Sequence, residues 1–147
     1  MLPFMIQDHT PRSLRVQPSA SVKSSGLTGI DVVVLGVKDM EAASALFQRA
    51  YGWKAPSVEE HAEFGARLAY FPGTPVMLAS PLGADSWLAK RLEQLGESPV
   101  AYLLGTRDYG AASKRFDLSG RVQWFGSNVA WFDSGKLHGV RIGVIGR

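Results

Sequence analysis

The chain contains one segment twice. Leu35-Gly36-Val37-Lys38-Asp39-Met40-Glu41-Ala42-Ala43-Ser44 is answered by Leu104-Gly105-Thr106-Arg107-Asp108-Tyr109-Gly110-Ala111-Ala112-Ser113. The offset is a constant 69 residues, and Phe47 and Phe116 keep it too. Each copy reads as an apolar strand, a basic residue, an Asp and then a small-residue helix. Such a repeat within 147 residues points to two halves related by pseudo-symmetry. A site between those halves would draw on equivalent positions in each.

The flanking pattern extends each copy into a module. Ile30–Val37 is a β-branched run and reads as a largely buried strand. Asp39 stands where its carboxylate can accept from the free N–H groups of a helix over Met40–Tyr51, which Gly52 ends. Trp53–Glu63 reads as irregular chain or a weak edge strand. Ala66–Phe71 and Pro75–Ala79 read as strands around the turn Pro72-Gly73-Thr74. After a break at Pro81–Asp85, Asp85 or Ser86 caps a helix with Trp87, Leu88, Leu92 and Leu95 on one face, ended by Gly96. The second half repeats the plan: strand Val100–Thr106, a helix from Asp108 to about Phe116, and strands Val122–Phe125, Asn128–Asp133 and Val140–Ile145.

Module one therefore spans residues 29–81, module two 97–147, and a connecting helix occupies about 85–95. Residues 1–28 form an arm. Pro3–Ile6 reads as a short strand, Thr10-Pro11-Arg12 as a turn, and 17–28 as a Ser-rich linker expected to be mobile. The arm can be the end of a preceding module or a native N-terminal extension; the residues leave both open.

Composition excludes several classes of function. The absence of cysteine rules out disulfides, thiolate nucleophiles, zinc–cysteine sites and iron–sulfur clusters. A net charge of +3 comes without a basic run or an RNA-binding aromatic motif, so no nucleic-acid partner is expected. The apolar start is broken by Pro3 and lacks the flanks of a signal peptide, and no run approaches the ~18–20 apolar residues of a membrane helix. A soluble, cytoplasmic protein is expected. The chain has no Gly-x-Ser-x-Gly elbow, P-loop or dinucleotide fingerprint in a strand–helix context.

The segment Ile30-Asp31-Val32-Val33-Val34-Leu35-Gly36-Val37-Lys38-Asp39-Met40-Glu41-Ala42-Ala43 is similar to the opening of vicinal oxygen chelate proteins, the superfamily of glyoxalase I, methylmalonyl-CoA epimerase, extradiol dioxygenases and bleomycin-resistance proteins. Ser80-Pro81-Leu82-Gly83-Ala84-Asp85-Ser86-Trp87-Leu88-Ala89-Lys90, running to Gly96-Glu97, resembles the epimerase and glyoxalase-like branch. His138-Gly139-Val140-Arg141-Ile142 is a closing segment of the same type. The resemblance covers about residues 27–147. It implies an α+β fold in which two βαβββ modules curl into one cup-shaped mixed sheet, with helices outside and a metal on the floor. It also implies a homodimer, in line with the prevalence of two-fold oligomers.

The same resemblance places the metal ligands, and there this chain departs. The first ligand position, a His on strand one, is Val32, and its repeat partner is Ala101. The Glu or Gln positions on the last strand of each module are Met77 and Gly143. A catalytic metal needs about three or four N or O donors converging on a point. The three His do not supply them: His9 lies in the arm, His61 in a loop and His138 at a turn. Asp31 adjoins Val32 but points to the other strand face. The cup is therefore expected to hold no metal and no cofactor.

Strand alternation then places Ile30, Val34, Ala79, Leu103 and Arg141 on the inner face with Val32, Met77, Ala101 and Gly143. Arg141 is the one charged residue in this set and is suited to a carboxylate or phosphate, unless it reaches solvent and pairs with Asp133 or Glu97. His138 is a weak candidate for a general base, or simply part of a turn. Asp133 and Ser134 could contact a ligand or form the turn; Tyr70, Tyr102, Trp124 and Trp131 could form aromatic walls or core. The expected function is binding of a small apolar molecule carrying a carbonyl or anionic group, in a cup lined by Val32, Met77, Ala101, Leu103, Gly143 and Arg141. The alternatives are a lyase, isomerase or epimerase, or the non-catalytic half of a longer two-domain enzyme.

Overall fold

The computed structural model describes residues 9–14, 26–138 and 140–146. The expected strand Pro3–Ile6 and most of the expected linker lie outside them. A short 3-10 helix, Arg12–Leu14, follows Pro11, whose carbonyl accepts from Leu14 N–H at 2.9 Å.

Eleven further elements follow: β1 (Leu27–Gly36), α1 (Met40–Tyr51), β2 (Ser57–His61), β3 (Ala66–Tyr70), β4 (Val76–Pro81), α2 (Trp87–Leu95), β5 (Ser98–Thr106), α3 (Tyr109–Arg115), β6 (Ser119–Trp124), β7 (Ser127–Trp131) and β8 (Arg141–Gly146). Among the described residues, no helix is long and apolar enough to cross a membrane. The strands form one mixed sheet in the order β2-β3-β4-β1-β5-β8-β7-β6. Within each module the first strand runs parallel to the last, β1 with β4 and β5 with β8. The modules join edge to edge through antiparallel β1 and β5. This is the α+β, twofold βαβββ plan, curled into a nearly closed barrel.

The repeat acts first through its caps. Asp39 accepts from Ala42 N–H and Asp108 from Ala111 N–H, both at 2.8 Å, so the same carboxylate starts the helix in each module. Ser86 caps α2 the same way, through Ala89 N–H at 3.1 Å. Gly52 closes α1 in the left-handed region at φ 68°, where glycine carries no Cβ penalty. Outside the sheet, Phe47 and Met40 of α1 pack on Ala69, Phe71 and Leu78, and Ala112 of α3 packs near Ala130 and Val144. Inside it, a larger core joins both modules.

Two expectations are corrected. Of the two readings of Trp53–Glu63 the edge strand holds, as β2, and His61, expected in a loop, is its last residue and is buried at 8% exposure. Ile30 does not face the cup. It is 60% exposed, because the β1–β5 pairing slips between Ile30 and Val32, and a bulge there breaks the strict alternation.

Candidate functional site

The inner positions come together at the middle of the sheet. Val34 pairs with Met77 on one side and Ala101 on the other; Val32 pairs with Leu103, and Leu103 with Gly143. Val32, Val34, Ala79, Ala101 and Leu103 are fully buried, and Met77 is 2% exposed. Gly143 is buried as well, and this is a glycine that the packing requires. A Cβ there would lie 2.9 Å from the Ala130 carbonyl oxygen, 2.9 Å from Leu103 Cδ2 and 3.0 Å from Trp131 Cε3.

Those contacts show what fills the cup. Phe64, from the turn after β2, stacks on Trp131 at 5.3 Å and meets Trp124 edge-on at 4.8 Å; Trp124 and Trp131 are 5.4 Å apart. Trp87 of α2 closes the cluster against Phe64 at 5.2 Å and donates its indole N–H to the Phe64 carbonyl. Edge-to-face and offset pairs of this kind stabilise beyond the area they bury. Small wall residues, Ala101 and Gly143 among them, leave the space that these rings occupy.

The two edge strands of the sheet meet at Glu59. Its carboxylate accepts from Phe125 N–H at 3.1 Å and lies 3.1 Å from His61 Nε2, while His61 Nδ1 lies 3.3 Å from Glu63. The His61 ring packs 5.5 Å from Trp124. None of these residues was singled out for a site from the sequence, apart from Trp124 as a possible wall. The available signal was the alternation Ser57, Glu59, His61, which puts polar side chains on the inward face of β2 and an exposed Val58 outside.

Several openings remain among the described residues, and two of them border the inner positions. A recess of about 240 Å³ is lined by Val32, Tyr70, Met77, Trp124, Phe125, Ser127 and Ile145. A groove of about 450 Å³ lies between α2 and the β5–β8 pair, with Trp87, Lys90, Arg91, Tyr102 and Arg141 among its lining residues. They share no residue. Val32 and Met77 thus line the recess, whereas Arg141 borders the groove together with Tyr102 and also a further opening of about 250 Å³ lined in part by Asp133 and Ser134. Ala101, Leu103 and Gly143 lie in the packed wall between. Arg141 is half-buried, and its guanidinium sits 3.9 Å from the Trp87 ring centroid. Burial lowers its pKa from the usual guanidinium value. His138 has φ 51° in the turn after β7, and Asp133 folds back on that turn by accepting from Gly135 N–H at 2.9 Å. His138 lines neither opening.

The residues at the positions that the resemblance assigns to ligands do not fit a metal. Valine, alanine and glycine side chains carry no donor, and one Met77 thioether cannot hold a hard or borderline divalent ion. Among the described residues, no group of three or more His, Asp or Glu is placed to hold one. Elemental analysis of the dialysed protein is expected to find Zn, Ni, Co, Mn and Fe far below one ion per chain. A value near one would contradict this reading of positions 32, 77, 101 and 143.

Several solved structures share this architecture. Methylmalonyl-CoA epimerase from Mycobacterium tuberculosis is similar at TM-score 0.70 and 22% identity, over 86% of this chain and 93% of its own. A single-residue variant of the Streptomyces coelicolor methylmalonyl-CoA epimerase, in complex with 2-nitronate-propionyl-CoA, reaches 0.69 at 23% identity over 82% and 97%. A hypothetical protein from Bacillus halodurans C-125 reaches 0.65 at 16% identity over 80% and 93%. No family model matches the chain, and no curated protein matches it. The similarity is one of fold: the chain has a glyoxalase-like α+β fold.

Proposed function

We propose that this protein uses the glyoxalase-like fold as a metal-free receptor for a small, largely apolar molecule with a carbonyl group, seated in the recess over Val32 and Met77. One observation carries the reading: two positions that the resemblance assigns to metal ligands are apolar and form the buried base of a recess of about 240 Å³, whose partly exposed wall is Tyr70, Phe125 and Ser127. Val32, Met77, Ile145 and Trp124 form a buried apolar base, and Tyr70 and Phe125 are the partly exposed rings beside it. The Tyr70 and Ser127 hydroxyls are the polar groups available to fix a carbonyl. The volume suits a single ring with a short substituent. The S. coelicolor epimerase variant with 2-nitronate-propionyl-CoA is a protein of this fold that holds a CoA-derived ligand, which supports binding of a small molecule by this architecture.

Acetophenone is a suitable probe. Ser127 is only partly buried, so Ser127→Trp should block the recess without disturbing the core. That variant is expected to weaken acetophenone binding by at least tenfold in calorimetric titration while its melting temperature stays close to that of the parent. Equal affinity in the two proteins would remove the recess from the account. The reading also includes a homodimer, and sedimentation at tens of micromolar should show it; a clean monomer would contradict it.

A further inference from the structure

We propose that the groove between α2 and the β5–β8 pair is a second binding site, for an oxyanion, of which a phosphate monoester is the best fit, attached to a planar ring. It is independent of the recess. Trp87, Lys90, Arg91 and Gln94 recur at i, i+3, i+4 and i+7, so one stripe of α2 faces the groove, while Leu88 and Leu92 face the cup core. Arg141 reaches the same space from β8, where it pairs with Ala101. Three cations from two elements therefore converge, and no Asp or Glu lines the groove.

The cations are placed to hold a ligand. Among the described residues no carboxylate pairs with Lys90, Arg91 or Arg141. Arg91 donates through Nη2 to the Pro99 carbonyl at 3.3 Å, which fixes its side chain, and its buried Nε has no partner. The Arg141 guanidinium carbon lies 3.9 Å from the Trp87 ring centroid and 5.7 Å from that of Phe64. Contact with the ring restrains the guanidinium, and its N–H fork, paired with no carboxylate, can meet two oxygens of one anion. A partly desolvated cation with no counter-ion gains more from an incoming anion than a solvated one does. Tyr102, Pro99 and Val140 complete the lining with an aromatic face and apolar area. At about 450 Å³ the space exceeds what a bare phosphate needs and accommodates an attached ring.

The test is calorimetric titration at low salt with phenyl phosphate, inorganic phosphate and phenol. Phenyl phosphate is expected to bind at least tenfold more tightly than either fragment, and to weaken as salt rises. Arg141→Ala should weaken it at least tenfold, and Arg141→Lys should recover only part of that loss. Lys90 is exposed, so Lys90→Ala keeps the fold intact and should still weaken binding about threefold. Saturating acetophenone should leave phenyl phosphate binding unchanged, which separates this site from the recess. No binding at millimolar phenyl phosphate would overturn the proposal. So would equal affinity in Arg141→Ala and Lys90→Ala, phenol binding as tightly as phenyl phosphate, or displacement by acetophenone.

Discussion

Trp124→Ala is expected to lower the unfolding free energy by about 3–5 kcal/mol, the range for removing a large aromatic from a packed core. Trp124 is 1% exposed and packs against Phe64, Trp131 and the His61 ring. It comes from β6, one edge strand of the sheet, and His61 from β2, the other. Its loss would open a void in the cup and separate the two edges as well. Urea denaturation with an unchanged slope measures this directly. A loss below about 1 kcal/mol would mean that the rings do not carry the closure.

Gly143→Glu is expected to be more damaging still. It puts back the carboxylate that the resemblance places at this position, yet the site cannot receive it. The first added atom would already lie 2.9 Å from the Ala130 carbonyl oxygen, which is backbone and cannot swing aside. Overpacking of this kind costs about 1–3 kcal/mol, which is the loss expected for Gly143→Ala alone. Glutamate adds an uncompensated carboxyl among Leu103 and Trp131, for several kcal/mol more. The sum is comparable to the entire stability of a small domain, so the variant should be largely unfolded at physiological temperature. Circular dichroism measures this. A folded Gly143→Glu protein that took up zinc would show that the cup is only a few steps from a metal centre.

The repeat made most of the fold legible. Asp39 and Asp108 act locally, on N–H groups three residues away, so their roles could be read without tertiary information. Positions 32, 77, 101 and 143 lie near one another because β1 pairs with β4 and β5, and β5 with β8, although the β1–β5 pairing slips at three places. Three features were not readable. The inward face of β2 carries Glu59 and His61 while Val58 lies outside, so hydrophobic alternation points the wrong way for that strand. The bulge after Ile30 depends on the partner strand and leaves no mark in β1 itself. Arg141 and Val32 both come from inner-face positions, yet they open on different spaces because Phe64, Trp124 and Trp131 fill the volume between. Phe64 comes from a turn in the first module and the two tryptophans from the β6–β7 hairpin of the second, and no local pattern announces that they stack.

The recess is most directly tested through Met77. Its side chain lines the recess, whereas Met40 lies in the separate core under α1. With methionine methyl groups labelled with carbon-13 and Met77 assigned by Met77→Leu, acetophenone should shift the Met77 resonance saturably and leave Met40 in place. A Met77 signal that stays fixed up to millimolar acetophenone, or that moves no more than Met40, would contradict a ligand seated over Val32 and Met77.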